Sequence, residues 1–305
     1  MGIYGIPRPI KFRMSRFLTI ITPTYNRAKL LKVAWESLFN QDVHDFEWIV
    51  VDDGSTDDTA EVITDLKGKS PFKITYVFQS NGGKHRAINK GVQLSELPFV
   101  CILDSDDELE PNFCSSLIEI IENTKSMAGL GAIVGRIRSK SGIIYGKKTS
   151  EAIFTDVFTY RYKMGITGDH FEVFKRSAMI EFPFPDIANE KFVPEALVWN
   201  RIGAKYNFYF VPVIFQVREY LDGGLTDKIV QIRMTSPVAS MLTYSELAGY
   251  DIPLLEKWKA ILNFWRFSFN SKLPFGKKLD MIKGRNIVFI PLGFLLYLKD
   301  RPTLK

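Results

Sequence analysis

The chain has 305 residues, of which 46% are hydrophobic and 24% charged, so a disordered or fibrous chain is excluded and one large or two modest domains with a sizeable core are expected. Two cysteines, Cys101 and Cys114, are too few for a disulfide-stapled scaffold and fit a reducing cytosol. The net charge of +6 is uneven: residues 251–305 hold eleven Lys and Arg against four Asp and Glu, whereas the other 250 residues hold 29 against 30.

No apolar leader precedes the first strand, so no signal peptide is expected, and Met14 stands directly before that strand as a candidate start. The first 110 residues then alternate regularly. "FLTIIT" (17–22) predicts a strand and Ala28–Phe39 an amphipathic helix. Phe46–Asp52 is a second strand, followed by a helix through "TDDTAEVITDL". A third strand, Lys73–Gln79, precedes a helix in "KHRAINKGVQLS". "PFVCIL" (98–103) is a fourth strand, and Pro111 opens a helix to about Asn123. Short apolar strands alternating with helices of about ten residues predict βαβ units and a parallel α/β sheet.

The middle is less regular. "LGAIVGRIRS" and "HFEVFKRS" read as strands, "PEALVWNRIGAKY" as a helix with Pro194 and Glu195 in its first turn, and "NFYFVPVIFQVREY" as a strand interrupted by Pro212. Gly223–Gly224 predicts a loop, and from Ile229 onward the pattern is helical. No internal repeat or low-complexity tract is present.

Ligands of parallel sheets bind beyond the carboxyl ends of the strands. Those ends carry "TPTYNR", "DDGSTDD", "SNGGK" and "DSDD", which places four polar clusters on one rim. In "VVDDGSTDD", Asp52 and Asp53 end a strand, Gly54 makes the turn, and Ser55 or Thr56 can cap the next helix. A plain turn and cap would explain that cluster taken alone. "NGGKHR" offers glycine amides and the cations Lys84 and Arg86 at a helix start, which suits a diphosphate. Neither a P-loop nor a dinucleotide fingerprint is present. "DSDD" sets Asp104 and Asp106 two apart, on one face of an extended chain, where their hard oxygens suit Mg²⁺ or Mn²⁺ beside a diphosphate. Glu108 and Glu110 fit better as acids that help start the following helix.

From about Phe17 to Phe113 these motifs, in this order, resemble the nucleotide-binding half of family 2 glycosyltransferases, inverting enzymes of the GT-A fold that include bacterial polysaccharide and glycan synthases. The resemblance implies a nucleotide-sugar-binding part over 14–110, an acceptor-binding part over 111–220 and a helical, basic and aromatic extension over 221–305. It implies that Pro23 and Tyr25 meet the nucleotide base and ribose, and that Asp53 accepts a hydrogen bond from uracil with Asp52 beside it. It further implies that Lys84 lies near the base or diphosphate, that Asp104 holds the ribose and that Asp106 ligates the metal. Family members often carry an acid six residues before an Arg. Here Glu195 stands six before Arg201, so Glu195 is the expected general base and Glu190 the second choice. "TGDH" resembles an acceptor segment, with Asp169 the contact, and His170 is either a third metal ligand or an ordinary histidine.

The implied function is transfer of a sugar, in hexosyltransferase fashion, from a UDP-sugar to a glycan or a lipid-linked saccharide. A sugar nucleotidyltransferase is the rival enzyme, although its Gly-rich loop after the first strand is missing. A non-catalytic nucleotide-sugar binder is the other rival. No nucleic-acid module is recognised. Residues 286–298 are too short an apolar run to span a bilayer. The basic, aromatic tail over 251–305 suits either contact with a membrane, at its cytoplasmic inner face, or packing on the core.

Overall fold

The structure, a computed structural model, describes residues 16–147, 149–219, 228–283 and 286–301. Met14 and the Gly223–Gly224 loop lie outside the described residues. The first four strands are Leu18–Thr24 (β1), Phe46–Asp52 (β2), Lys73–Phe78 (β3) and Phe99–Ile102 (β4), and between them run the helices Ala28–Phe39 (α1), Thr59–Lys69 (α2) and Lys84–Leu94 (α3). Every residue of β1 and β2 is buried, so apolar residues face both sides of the sheet, and the buried polar Thr19 and Glu47 are hydrogen-bonded to each other. β1 pairs in parallel with β2 and β4, and β2 with β3, in the register Thr24 to Asp52 to Phe78. Parallel strands end on the same side, so this register brings the four polar clusters to one edge.

The chain continues through Glu108–Leu109 (β5), Phe113–Thr124 (α4), Leu130–Arg138 (β6), Ile153–Thr155 (β7), His170–Lys175 (β8), Arg176–Glu181 (α5), Glu195–Lys205 (α6) and Asn207–Val217 (β9). All nine strands form one mixed sheet, ordered β3-β2-β1-β4-β8-β6-β9-β5, with β7 on β9. β8 runs antiparallel to both β4 and β6. The interruption at Pro212 is a bulge within β9. The pairing jumps from Val134–Phe210 to Arg136–Ile214, and the bulge so formed takes the residue that cannot donate to the ladder. Glu108 and Glu110 do not start a helix either. They lie along β9, their side chains paired with Lys140 and Arg138 respectively, and α4 begins only at Phe113.

Helices cover both faces of the sheet. Leu31, Leu38, Ile63 and Leu117 of α1, α2 and α4 pack on the side of Ile20, Cys101 and Val173. Ile88, Met179, Leu197 and Ile202 of α3, α5 and α6 pack on the side of Ile21, Val100 and Phe174. Each fully buried Leu or Ile of this kind contributes about 1.5–3 kcal/mol. Beyond the sheet come Ile229–Thr235 (α7), Pro237–Gly249 (α8), Leu254–Ser268 (α9), Phe275–Met281 (α10), a 3₁₀ turn at Ile287–Phe289, and Ile290–Asp300 (α11). This extension joins the sheet body where α8 packs on α6, and it has its own small core of Met241, Ile261, Phe264, Trp265 and Ile282. Among the described residues no helix is long and apolar enough to cross a membrane.

Candidate active site

The rim is tied together by side chains from separate loops. Asn26, held at φ 51°, donates its N–H to Ser55 Oγ and accepts the Thr56 N–H on Oδ1. The cap of α2 comes from Asp57 rather than Ser55 or Thr56. Its Oδ1 accepts the Thr59 N–H, and its Oδ2 accepts the Ala28 N–H at the start of α1. Burial raises this carboxyl, but its hydrogen bonds outweigh that effect and hold it below the usual carboxylate range.

The aspartate pair Asp52–Asp53 is buried, and its oxygens are engaged by protein groups. Asp52 accepts from Ser55 N at 2.7 Å and from the Tyr76 hydroxyl at 2.7 Å. Asp53, only 4% exposed, accepts from Gln79 Nε2, Gly82 N and Gly83 N, all at 2.7–2.8 Å. The two glycine amides that the sequence offers to a diphosphate are therefore turned toward Asp53. Gly83 sits at φ +102°, and a Cβ there would lie 2.0 Å from the Lys191 carbonyl oxygen. Only glycine fits that approach.

Of the three basic residues that open α3, one enters the site. Arg86 turns away to Asp186 and to the carbonyls of Gly82, Ile187 and Glu190. His85 is buried with no partner on either ring nitrogen, and burial, then Arg86, lowers its pKa to about 4. Lys84 instead reaches across the cleft. Its Nζ is 2.7 Å from Asp104 Oδ1 and 2.9 Å from Glu195 Oε1. Burial disfavours the ammonium, but the two carboxylates outweigh burial and raise its pKa. In return Lys84 leads Arg218 and Arg27 in keeping Asp104 ionised against its own burial.

The other acids of "DSDD" also have cationic partners. Asp106 pairs with Arg27 of "TPTYNR" at 3.1 Å. Asp107 accepts from Gln216 and Arg218 on β9 and its neighbour, yet burial still pushes its carboxyl up to about 6. Arg218 NH1 lies 3.7 Å from Asp169. Pro23 closes the buried end of β1, and Tyr25 stands 48% exposed just beyond it.

A cavity of about 230 Å³ connects the two halves. Lys84, Asp104 and Arg218 line it from the rim, Glu195 and Trp199 from α6, and Asp169 and Glu172 from the β8 segment. A short π-helical turn, Thr159–Lys163, adds Arg161. Glu172 escaped the sequence reading. In "HFEVFK" it alternates onto the face of His170 and Phe174, where burial raises its carboxyl to about 8 against the opposing charge of Arg161. Its one sequence signal is a charge on the inward face of a strand. Arg161 and Arg218 gave none.

Three further residues singled out in the sequence have structural partners, although His170 does line the cavity. Glu190 is 6% exposed and accepts the N–H groups of Val238 and Ala239, so it caps the start of α8. Arg201 makes a two-pronged pair with Glu246 at 2.6 and 2.8 Å, tying α6 to α8. His170 directs Nδ1 at the Gly168 carbonyl and Nε2 at the Tyr160 hydroxyl, and burial lowers its pKa to about 4. Among the described residues no group of three His, Cys, Asp or Glu side chains gathers to hold a metal. The donor set nonetheless suits Mg²⁺ or Mn²⁺ shared with a ligand. Asp104 and Asp106 offer only hard oxygens, and Lys84 and Arg27, which now pair with them, sit on flexible arms.

A nine-stranded mixed sheet with helices on both faces and further helices after it is the GT-A architecture. A family model described as glycosyl transferase family 2 matches residues 19–182, and the chain belongs to that family. The GalNAc(5)-diNAcBac-PP-undecaprenol beta-1,3-glucosyltransferase of Campylobacter jejuni is 32% identical over 198 residues, 63% of this chain and 61% of that protein. The poly-beta-1,6-N-acetyl-D-glucosamine synthase of Staphylococcus epidermidis is 31% identical over 136 residues, 44% of this chain and 32% of that one. The chain thus spans less than two thirds of the length of these curated relatives. In fold it is similar to S. aureus TarS 1-349 in complex with UDP-GlcNAc, with a TM-score of 0.60, 17% identity, and coverage of 94% of this chain and 89% of that one. It is also similar to the mannosyltransferase PcManGT from Pyrobaculum calidifontis in complex with GDP-Man and Mn2+, with a TM-score of 0.55, 16% identity, and coverage of 93% and 86%.

Proposed function

We propose that the protein is an inverting, metal-dependent glycosyltransferase that moves a sugar from a UDP-sugar to a hydroxyl of a glycan or lipid-linked saccharide. The observation that carries this reading is Lys84, whose ammonium joins Asp104 on the donor rim to Glu195 on the acceptor helix at one cavity. The activities of the relatives and the UDP-GlcNAc bound by a protein of the same fold support the donor and acceptor classes.

In this mechanism Tyr25 and Pro23 flank the nucleotide, with Asp52 and Asp53 supporting the loop beneath it. Asp104 and Asp106 would hold Mg²⁺ or Mn²⁺, which when bound offsets charge on the leaving diphosphate. Lys84 adds a fixed cation on the same side. Glu195 takes the proton of the acceptor hydroxyl while that oxygen attacks the anomeric carbon. Attack opposite the leaving group inverts the centre in one displacement, with no covalent sugar–enzyme intermediate. Asp169, beside Arg218, meets the acceptor on this reading. On the same reading the enzyme works in the cytoplasm, against the inner face of the membrane, through residues 251–305.

The test is donor turnover with a panel of UDP- and GDP-sugars plus Mn²⁺, with and without lipid-linked and free saccharide acceptors. Transfer from a UDP-sugar that Glu195→Gln removes supports the reading. Tight UDP binding without turnover on any acceptor would favour the non-catalytic rival, and release of pyrophosphate from UTP and a sugar phosphate would favour the nucleotidyltransferase.

A further inference from the structure

Of the seventeen large hydrophobic side chains exposed among the described residues, ten fall between Leu254 and Leu298. They form a connected surface. The start of α9 exposes Leu254, Leu255 and Trp258, and the Trp258 ring lies 6.5 Å from that of Phe289, which brings the exposed Ile287 and Val288 alongside. α11 continues the surface with Leu292, Leu295 and Leu298, three residues apart and therefore on one side of the helix. Its other side is pressed on α9 at Gly293, where a Cβ would stand 2.6 Å from the Trp265 Cβ. A groove of about 590 Å³ opens among these elements, walled by Tyr250, Trp258 and Ile261 with Lys257 and Lys283.

The charges around this surface that lack an ion-pair partner among the described residues are mostly positive, with Asp280 of α10 the one acid among them. Asp251, Glu256 and Asp300 are paired with Lys163, Lys259 and Arg266. Lys257, Lys272, Lys277, Lys283, Lys299 and Arg301 make no ion pair among the described residues. α11 has 11 residues and rises about 16 Å, roughly half a bilayer core, so it suits an orientation in the plane of an interface rather than across it.

We propose that the face built from the start of α9, the Ile287–Phe289 turn and α11 docks on a bilayer that contains anionic lipid. Its leucines and Trp258 enter the interface, and the unpaired cations meet phosphate headgroups. A second copy of the chain is a poorer occupant, because self-association would set like charges against one another. This inference rests on the membrane contact in the reading above but not on sugar transfer, so its test reads binding alone.

Full-length protein is floated with vesicles of phosphatidylcholine, pure or mixed with phosphatidylglycerol. Binding is expected only to the mixed vesicles and is expected to fall at high salt. The triple variant Leu292→Ser/Leu295→Ser/Leu298→Ser and the double variant Lys257→Glu/Lys283→Glu are each expected to weaken partitioning by about tenfold or more. The second variant changes only surface lysines, so it decides the matter should the first fail to fold. UDP-induced thermal shifts on the same samples report the donor site separately. Absence of wild-type binding to either vesicle overturns the proposal, as does binding that the lysine variant leaves unchanged. A concentration-dependent dimer that the leucine variant abolishes would assign the face to a second copy instead and also overturn it.

Discussion

Lys84 and Glu195 meet at 2.9 Å although 110 residues separate them in the chain, and the same ammonium is 2.7 Å from Asp104. One cation thus couples the rim of the parallel strands to the helix of the opposite half. Lys84→Met removes a charge-assisted hydrogen bond to each carboxylate. Calorimetry is expected to show UDP binding weakened about 10–100-fold. Unchanged affinity would remove Lys84 from the donor site.

Glu195→Gln keeps the shape of the side chain and removes the proton acceptor. Turnover is expected to drop about 10²–10⁴-fold while UDP affinity stays within about threefold. A variant that turns over normally would show that the base lies elsewhere in the cavity.

Glu190 carries a structural expectation instead. Glu190→Ala strips the acceptor from the buried Ala239 N–H and the half-buried Val238 N–H at the start of α8. Urea unfolding should show a loss of about 1–3 kcal/mol, with kcat per folded molecule little changed. A fall in kcat at undiminished stability would return Glu190 to the chemistry.

Asp106→Asn leaves Arg27 without its carboxylate and halves the charge offered to a divalent ion. Transfer at saturating donor is expected to fall about 100-fold or more, with partial recovery as Mn²⁺ is raised. Transfer at the normal rate and ordinary metal concentration would rule out the ligand role.

Glu172 gives a pH signature. Burial raises its carboxyl from 4.5 to about 8, so between those values the folded protein keeps a proton that the unfolded chain has released. Stability from this group therefore declines as pH rises through that window. Glu172→Gln should flatten the drop in Tm between about pH 5 and about pH 8. The same slope in both proteins would mean that the Glu172 carboxyl is not held protonated.

The periodic elements were legible because their causes are local. α1 and β2 have the predicted bounds, Ala28–Phe39 and Phe46–Asp52, since an amphipathic repeat and a run buried on both faces are written in consecutive residues. Features that depend on a neighbour were not. Pro212 looks like a break until β6 is seen to accept a bulge beside it. Ser55 and Thr56 look like caps until Asp57 is found holding both helix starts. Arg201 completes a spacing typical of the family, yet it is spent on Glu246.

The sequence by itself determined the α/β alternation, the four polar strand ends and the membership in glycosyl transferase family 2, because hydrophobic period and motif spacing are properties of the chain read in order. Only the tertiary structure decided which of the acids and cations face one another. It turned Asp53 inward to the glycine loop, Glu190 to the head of α8 and Arg86 to Asp186, and it left Lys84 between Asp104 and Glu195. A charge finds its partner through the packing of distant elements, and no short stretch of sequence encodes that distance.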